Sequence, residues 1–267
     1  MSQPDLWLTM PRPNPRATLR LFCFPYAGGS SLGFRSWPDQ LLPDVEVCIV
    51  QLPGRGPRIR EAGFTELDPL VDAIGQALLP RMDRPFVFFG HSMGAMIGFE
   101  LARYLRRQGR RLPRHLFVSG RRAPQIIDPS PHTYDLPEAE FIKELRRLNG
   151  TPTEVLEHAD LMSLMMPILR TDFAVCQTYE YKPGPPLDCP ISAYGGVQDP
   201  QVPKDYLEGW KEQTSALFTL KMFPGDHFFI HSDQALLLRA LSQEISQYAN
   251  EKYWGESRVG GNSATAL

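Results

Sequence analysis

The strongest chemical signal in the chain is Gly90-His91-Ser92-Met93-Gly94, a G-x-S-x-G pattern that directly follows the apolar run 86–89 and opens a helical pattern. A serine on a tight strand-to-helix turn presents its hydroxyl outward, and glycines beside it keep side chains away from the crowded backbone. A hydroxyl is a poor nucleophile until a base removes its proton, and an imidazole base needs a carboxylate to hold its tautomer. The chemistry to look for is acyl transfer, with an acid and a histidine following Ser92 in that order.

The downstream histidines are His115, His132, His158, His227 and His231. His227, in Pro224-Gly225-Asp226-His227, falls between the last strand pattern and the last helix pattern, at the carboxyl edge of a parallel sheet. His231 is its rival as base, with a structural role at a helix start as its other reading. For the acid, Asp199 lies in Gly195-Gly196-Val197-Gln198-Asp199-Pro200, again straight after a strand pattern. Asp226 adjoins His227 too closely to face it, and Asp172 falls in a stretch set apart from the strand ends. An attacked carbonyl also needs donors for its oxyanion. Met93 N–H, at the start of the helix, is one expected donor, and Ala27 N–H, in Phe24-Pro25-Tyr26-Ala27-Gly28-Gly29, is favoured over Tyr26 as the second.

These residues need a scaffold, and the hydropathy pattern supplies an α/β domain with a mainly parallel sheet. Strands are expected at 19–24, 45–52, 86–89, 115–119, 190–194 and 217–223. Helices are expected at 66–82, 93–108 (stopped by Gly109) and 232–248 (started by Ser232). The interval 121–189 is far longer than a whole βαβ unit of roughly 30 residues. Its excess reads as a helical insertion, with helices at 137–148 and at 159–181, the latter interrupted or kinked at Pro167. The second helix is dense in apolar side chains, including Met162, Met165, Met166 and Leu169. That surface fits either a core helix of the main domain or a lid lining an apolar substrate channel. The expected organisation is an N-terminal extension at 1–15, a core at 16–120 and 187–252, a lid at 121–186, and a disordered tail at 253–267.

Composition narrows the classes. The 267 residues are 42% hydrophobic and 22% charged, enough for a sizeable core. A net charge of −2 with mixed signs gives no global field for nucleic acid or an anionic membrane. No apolar run approaches the ~18–20 residues of a membrane span. Cys23, Cys48, Cys176 and Cys189 lack C-x-x-C spacing and read as free thiols of a reducing compartment, so a cytoplasmic protein is expected. One local basic cluster, Arg103, Arg106, Arg107, Arg110, Arg111 and Arg114, is either a solvated helix face or a docking patch for an acidic partner.

Taken with their order and spacing, several segments resemble the stand-alone type II thioesterases that accompany polyketide synthases, nonribosomal peptide synthetases and some fatty acid synthases. These are Cys23-Phe24-Pro25-Tyr26-Ala27-Gly28-Gly29, Leu52-Pro53-Gly54-Arg55-Gly56, Phe89-Gly90-His91-Ser92-Met93-Gly94-Ala95, Arg170-Thr171-Asp172-Phe173, Cys189-Pro190-Ile191 and Gly225-Asp226-His227-Phe228-Phe229. The resemblance implies an α/β-hydrolase core with a helical lid and a triad of Ser92, Asp199 and His227. It also implies an editing activity on acyl thioesters carried by the phosphopantetheine arm of carrier domains. No metal or cofactor of the enzyme's own is expected, and a monomer is. The same triad would serve a product-releasing thioesterase or a carboxylesterase, and a non-catalytic binding module on the same fold is the reading from another class.

Overall fold

The computed structural model describes residues 6–249. Seven strands form one sheet: β1 (Leu8–Thr9), β2 (Leu19–Phe24), β3 (Val45–Val50), β4 (Phe86–His91), β5 (Leu116–Ser119), β6 (Ile191–Gly196) and β7 (Phe218–Phe223). Their spatial order is β1-β3-β2-β4-β5-β6-β7, parallel throughout except for β1, which pairs antiparallel with β3. The helices are α1 (Leu67–Leu78), α2 (Met93–Arg107), α3 (Glu138–Leu148), α4 (Thr153–Glu157), α5 (Ala159–Gln177), α6 (Lys204–Glu208), α7 (Phe229–Ser232) and α8 (Gln234–Ala249).

Strands β2, β4, β5 and β6 are buried on both faces, which is why they read as continuous apolar runs rather than alternating ones. Their side chains still alternate between two separate cores. Phe22, Phe24, Phe86, Phe88, Leu116 and Val118 pack on one face with α1 and α2. Leu21, Cys23, Val87, Phe89, Phe117 and Tyr194 pack on the other with Phe34, Trp37 and the Leu237, Leu238, Leu241 and Ile245 stripe of α8. A third, smaller cluster belongs to α3–α5 alone.

The differences from expectation have local causes. Leu8–Thr9 lies in the stretch expected to stand outside the core, yet it forms the edge strand β1, paired as Leu8 with Val50 and Thr9 with Ile49. The helix expected over 66–82 leaves α geometry at Leu79, where Pro80 tightens the chain into a 3₁₀ turn. Gly109, at φ +61°, follows the end of α2 as expected. Pro167 sits inside α5 without ending it, but the helix stops at Gln177 rather than 181. Ser232 closes α7 instead of starting the last helix. Residues 253–267, expected as a tail, lie outside the described residues.

The strand order reverses between β2 and β4. The chain steps from β2 outward to β3 and then returns to place β4 on the other side of β2. The loops leaving the carboxyl ends of such a pair diverge and open a crevice. Those two loops carry Ala27 and Ser92.

Candidate active site

Ser92 occupies the single-residue hinge between β4 and α2, with φ +52° and ψ −114°. This left-handed backbone is strained for a residue with a Cβ, and the neighbours enforce it. A Cβ on Gly94 would stand 2.0 Å from the Phe24 carbonyl oxygen, and one on Gly90 would stand 2.0 Å from the Gly94 oxygen. Both glycines are therefore steric necessities of the turn. Ser92 N–H donates to Ser119 O at 2.7 Å, tying the hinge to β5. The Ser92 side chain makes no capping bond to the helix it precedes, which leaves its hydroxyl to the cavity.

The other two expected residues meet. His227 Nδ1 lies 2.7 Å from Asp199 Oδ2, with both side chains buried. Asp199 Oδ1 accepts from the N–H groups of Gln201 at 2.8 Å and Val202 at 3.2 Å, so the carboxylate is aimed by its own turn. The loops after β6 and β7 are stitched together. Gln198 N–H donates to Gly225 O at 2.9 Å, and Gly225 N–H donates to Gln198 Oε1 at 2.8 Å. Gly196 permits the contact, since a Cβ there would stand 2.2 Å from Asp226 O. Holding Nδ1 as the donor to Asp199 leaves Nε2 as the basic nitrogen. Ser92 and His227 line the same cavity, and among the described residues no hydrogen bond joins them. Bonds of this kind are commonly long before substrate arrives.

The rivals have other occupations. His231 Nε2 bonds the Tyr26 hydroxyl at 2.9 Å. Asp226 Oδ1 accepts from Phe228 N–H at 2.8 Å and so turns its own loop. His115 is buried against Ser192 and Tyr248. Asp172 is buried in a two-point pair with Arg55. His91, in the elbow itself, is fully buried with its ring 5.2 Å from that of His227 and Nδ1 2.9 Å from Ser119 Oγ. Burial, then the neighbouring His227 and His231, holds its pKa well below the usual imidazole value. It is a neutral plate under the His227 loop, a role that sequence reasoning missed.

On the β2 side, Gly28 adopts φ +74° and Gly29 N–H donates to Tyr26 O at 2.8 Å, closing a tight turn that sets Ala27 at the cavity wall. Met93 is the first residue of α2, so its N–H has no acceptor within the helix.

With this geometry in view, comparison with known proteins is decisive. A thioesterase domain model matches residues 19–245. The chain belongs to the thioesterase family. It is 45% identical over 248 residues to the Linear gramicidin dehydrogenase LgrE of Brevibacillus parabrevis, covering 92% of this chain and 94% of that one. It is 44% identical over 245 residues to the Gramicidin S biosynthesis protein GrsT of Aneurinibacillus migulanus, covering 92% and 96%. Among solved structures it resembles BorB, the type II thioesterase of the borrelidin biosynthetic cluster, at TM-score 0.82 and 35% identity over 93% of this chain and 100% of that one. The thioesterase thus has the α/β-hydrolase fold, and its relatives include proteins named for gramicidin and borrelidin biosynthesis. Among the described residues no helix is long and apolar enough to cross a membrane.

The thioesterase has a cavity of about 1140 Å³ lined by Ser92 and His227 together with the 121–133 segment and residues of α3 and α5. This exceeds the roughly 300–1,000 Å³ of ordinary small-molecule pockets. Of the four residues expected to line an apolar channel, Leu169 does so. Leu169 also belongs to the insertion's own core with Phe141, Leu145, Leu156 and the buried Met162, and Met165 and Met166 pack half-buried against that core. The basic cluster is also corrected in part. Arg103 pairs with Glu100 at 2.7 Å and donates to Lys182 O, and Arg106 donates to the carbonyls of Pro185 and Pro186, so both fasten the returning chain to α2.

Proposed function

We propose that this thioesterase hydrolyses acyl thioesters on the phosphopantetheine arm of carrier domains, clearing stalled or aberrant acyl groups from a nonribosomal peptide or polyketide assembly line. In this reading His227 Nε2 takes the Ser92 proton as Oγ attacks the thioester carbonyl, and Asp199 holds the imidazole and stabilises its protonated form. The N–H groups of Ala27 and Met93 receive the oxyanion. Collapse of the tetrahedral intermediate breaks the C–S bond and expels the pantetheine thiolate, which takes up the proton. Water, deprotonated by His227, then attacks the acyl-serine, and Ser92 regains its proton as the acid leaves. The insertion at 121–186 acts as a lid over the acyl chain, the enzyme works as a cytoplasmic monomer, and no resident cofactor takes part.

The observation that carries this reading is the 2.7 Å Asp199–His227 pair, whose imidazole lines a cavity shared with a serine on a strained turn. The family membership supports the thioester as the bond attacked. The test is a deacylation panel of carrier protein bearing either a short acyl group or a mature assembly-line product, acyl-CoA and a nitrophenyl ester. Preferential release from the carrier is the expected outcome, with Ser92→Ala inactive and folded. Activity confined to the oxoester would make the protein an esterase, and activity confined to a mature assembly-line product would make it a releasing enzyme.

A further inference from the structure

The loop that presents Ala27 is held from behind by two buried charges. Asp172, on α5, and Arg55, in the loop after β3, are each about 5% exposed and pair through two parallel bonds, Nη2 to Oδ1 at 2.6 Å and Nη1 to Oδ2 at 2.8 Å. The pair then grips the loop at two successive residues. Gly28 N–H donates to Asp172 Oδ2 at 2.7 Å, and Arg55 Nη1 donates to Gly29 O at 2.9 Å. Arg55 is itself anchored by Nε to Pro53 O at 3.3 Å. Helix α5 also presses on the loop directly, because a Cβ on Gly28 would stand 2.7 Å from Leu169 Cδ2.

We propose that Arg55 and Asp172 are positioning residues for the oxyanion hole, a clamp that orients the 26–29 backbone and makes the seating of α5 a condition of the chemical step. The inference rests on the thioesterase mechanism proposed above. A buried ion pair gives little net stability over well-packed apolar side chains, so its presence here calls for a directional role. The clamp provides one. It offers an acceptor to Gly28 N–H and a donor to Gly29 O, and so fixes the turn through which Ala27 N–H faces the cavity. The sign of the charges matters as well. A lone carboxylate this close to the loop would oppose a developing oxyanion, and the guanidinium of Arg55 cancels it. Asp172 shares α5 with the lid's own core, so a lid that lifts with α5 withdraws the acceptor from Gly28 and loosens the hole.

The experiment compares Asp172→Ala, Asp172→Asn, Arg55→Ala and Arg55→Lys with the wild type on an acyl carrier thioester. Misplacing an oxyanion donor costs roughly 10²-fold in kcat. Loss of that order is expected for the two alanine variants, with KM within about threefold and partial recovery in Asp172→Asn, whose amide oxygen can still accept from Gly28. Affinity for a trifluoromethyl ketone, which forms a tetrahedral adduct on serine, should fall in proportion to kcat/KM, while an uncleavable thioether analogue binds as before. Alanine variants that fold and keep kcat within threefold of wild type would overturn the clamp, as would equal losses for the ketone and the thioether. Should the alanine variants fail to fold, the same two ligands are measured on Asp172→Asn and Arg55→Lys, judged by the same proportionality. Wild-type hydrolysis with unaffected clamp variants removes the clamp alone, whereas a wild type inert toward every thioester removes the mechanism and the clamp together.

Discussion

The elbow and the insertion are built on different terms. Around Ser92 the backbone itself sets the limits: β4 is buried along its whole length, α2 is buried from Met93 to Leu105, and the two glycines touch neighbouring carbonyls. In the insertion, α3 buries only Phe141 and Leu145, and the shared core of α3–α5 is five buried residues. The insertion also packs Ala123 and Val175 into the main core, and polar bonds hold it internally and to the rest of the molecule. Arg170 donates to the carbonyls of Tyr134 and Leu136, Asn149 donates to Asp226, and Asp172 reaches Gly28. Ser92 is thus held by close packing that has one solution, and the insertion by a small core of its own, its contacts with the main core and a few polar bonds. The proposed mechanism asks sub-ångström placement of the first and a covering role of the second.

The sharpest way to break this contrast is Gly94→Ala. The new methyl must displace the backbone of β2, so the loss is expected to exceed about 4 kcal/mol, at the extreme end for a single substitution. A denaturant midpoint close to wild type would show that the elbow yields after all. Phe141→Ala tests the other side. Truncating a buried phenylalanine costs about 3–5 kcal/mol in an ordinary core. Here the loss should stay local: amide exchange in α3–α5 should quicken by about 10²-fold or more, sheet amides should keep their protection, and acyl-chain preference should shift. A full-size drop in the global unfolding midpoint would mean that lid and core unfold as one body.

A third expected effect separates the regions by acid. Burial, partly offset by Glu244 and reinforced by Lys221, lowers the pKa of His115 to about 4. The unfolded chain protonates this imidazole near its ordinary pKa of about 6.5, so it binds more protons than the folded chain between those values. The contribution is fully present above pH 6.5 and is lost as the pH falls toward 4, to a total of about 3 kcal/mol. His115→Gln should flatten that part of the stability profile. An unchanged acid slope would show that His115 is not the group responsible, and retained sheet protection alongside a loosened lid would place the acid sensitivity in the wrong region.

Much of this was legible in the residues. The strands at 19–24, 86–89 and 190–194 announce themselves because burial on both faces leaves little room for polar side chains, and the elbow because its steric demands select glycine. Asp199 and His227 could be ranked above their rivals because strand ends in a parallel sheet share one edge. Short elements escaped. β1 is two residues, α4 and α6 are five each, and none spans enough periods to show a pattern. The face of α5 was ambiguous for another reason: its density of apolar side chains marks Met162, Met165 and Met166 as candidates for packing, but not that α3 and α4 are what they pack against. Nor does any local signal join Arg55 to Asp172, since each alone looks like an ordinary surface charge.

The central claim is that Ser92 forms the covalent acyl intermediate. Rapid mixing with an acyl carrier thioester, quenching and intact and peptide mass measurement would test it directly. An acyl adduct on the peptide containing Ser92 is expected at early times in the wild type, slow to form in His227→Ala, which lacks the base of both half-reactions, and absent in Ser92→Ala. Turnover undiminished in Ser92→Ala, or an adduct carried on another residue, would contradict the account.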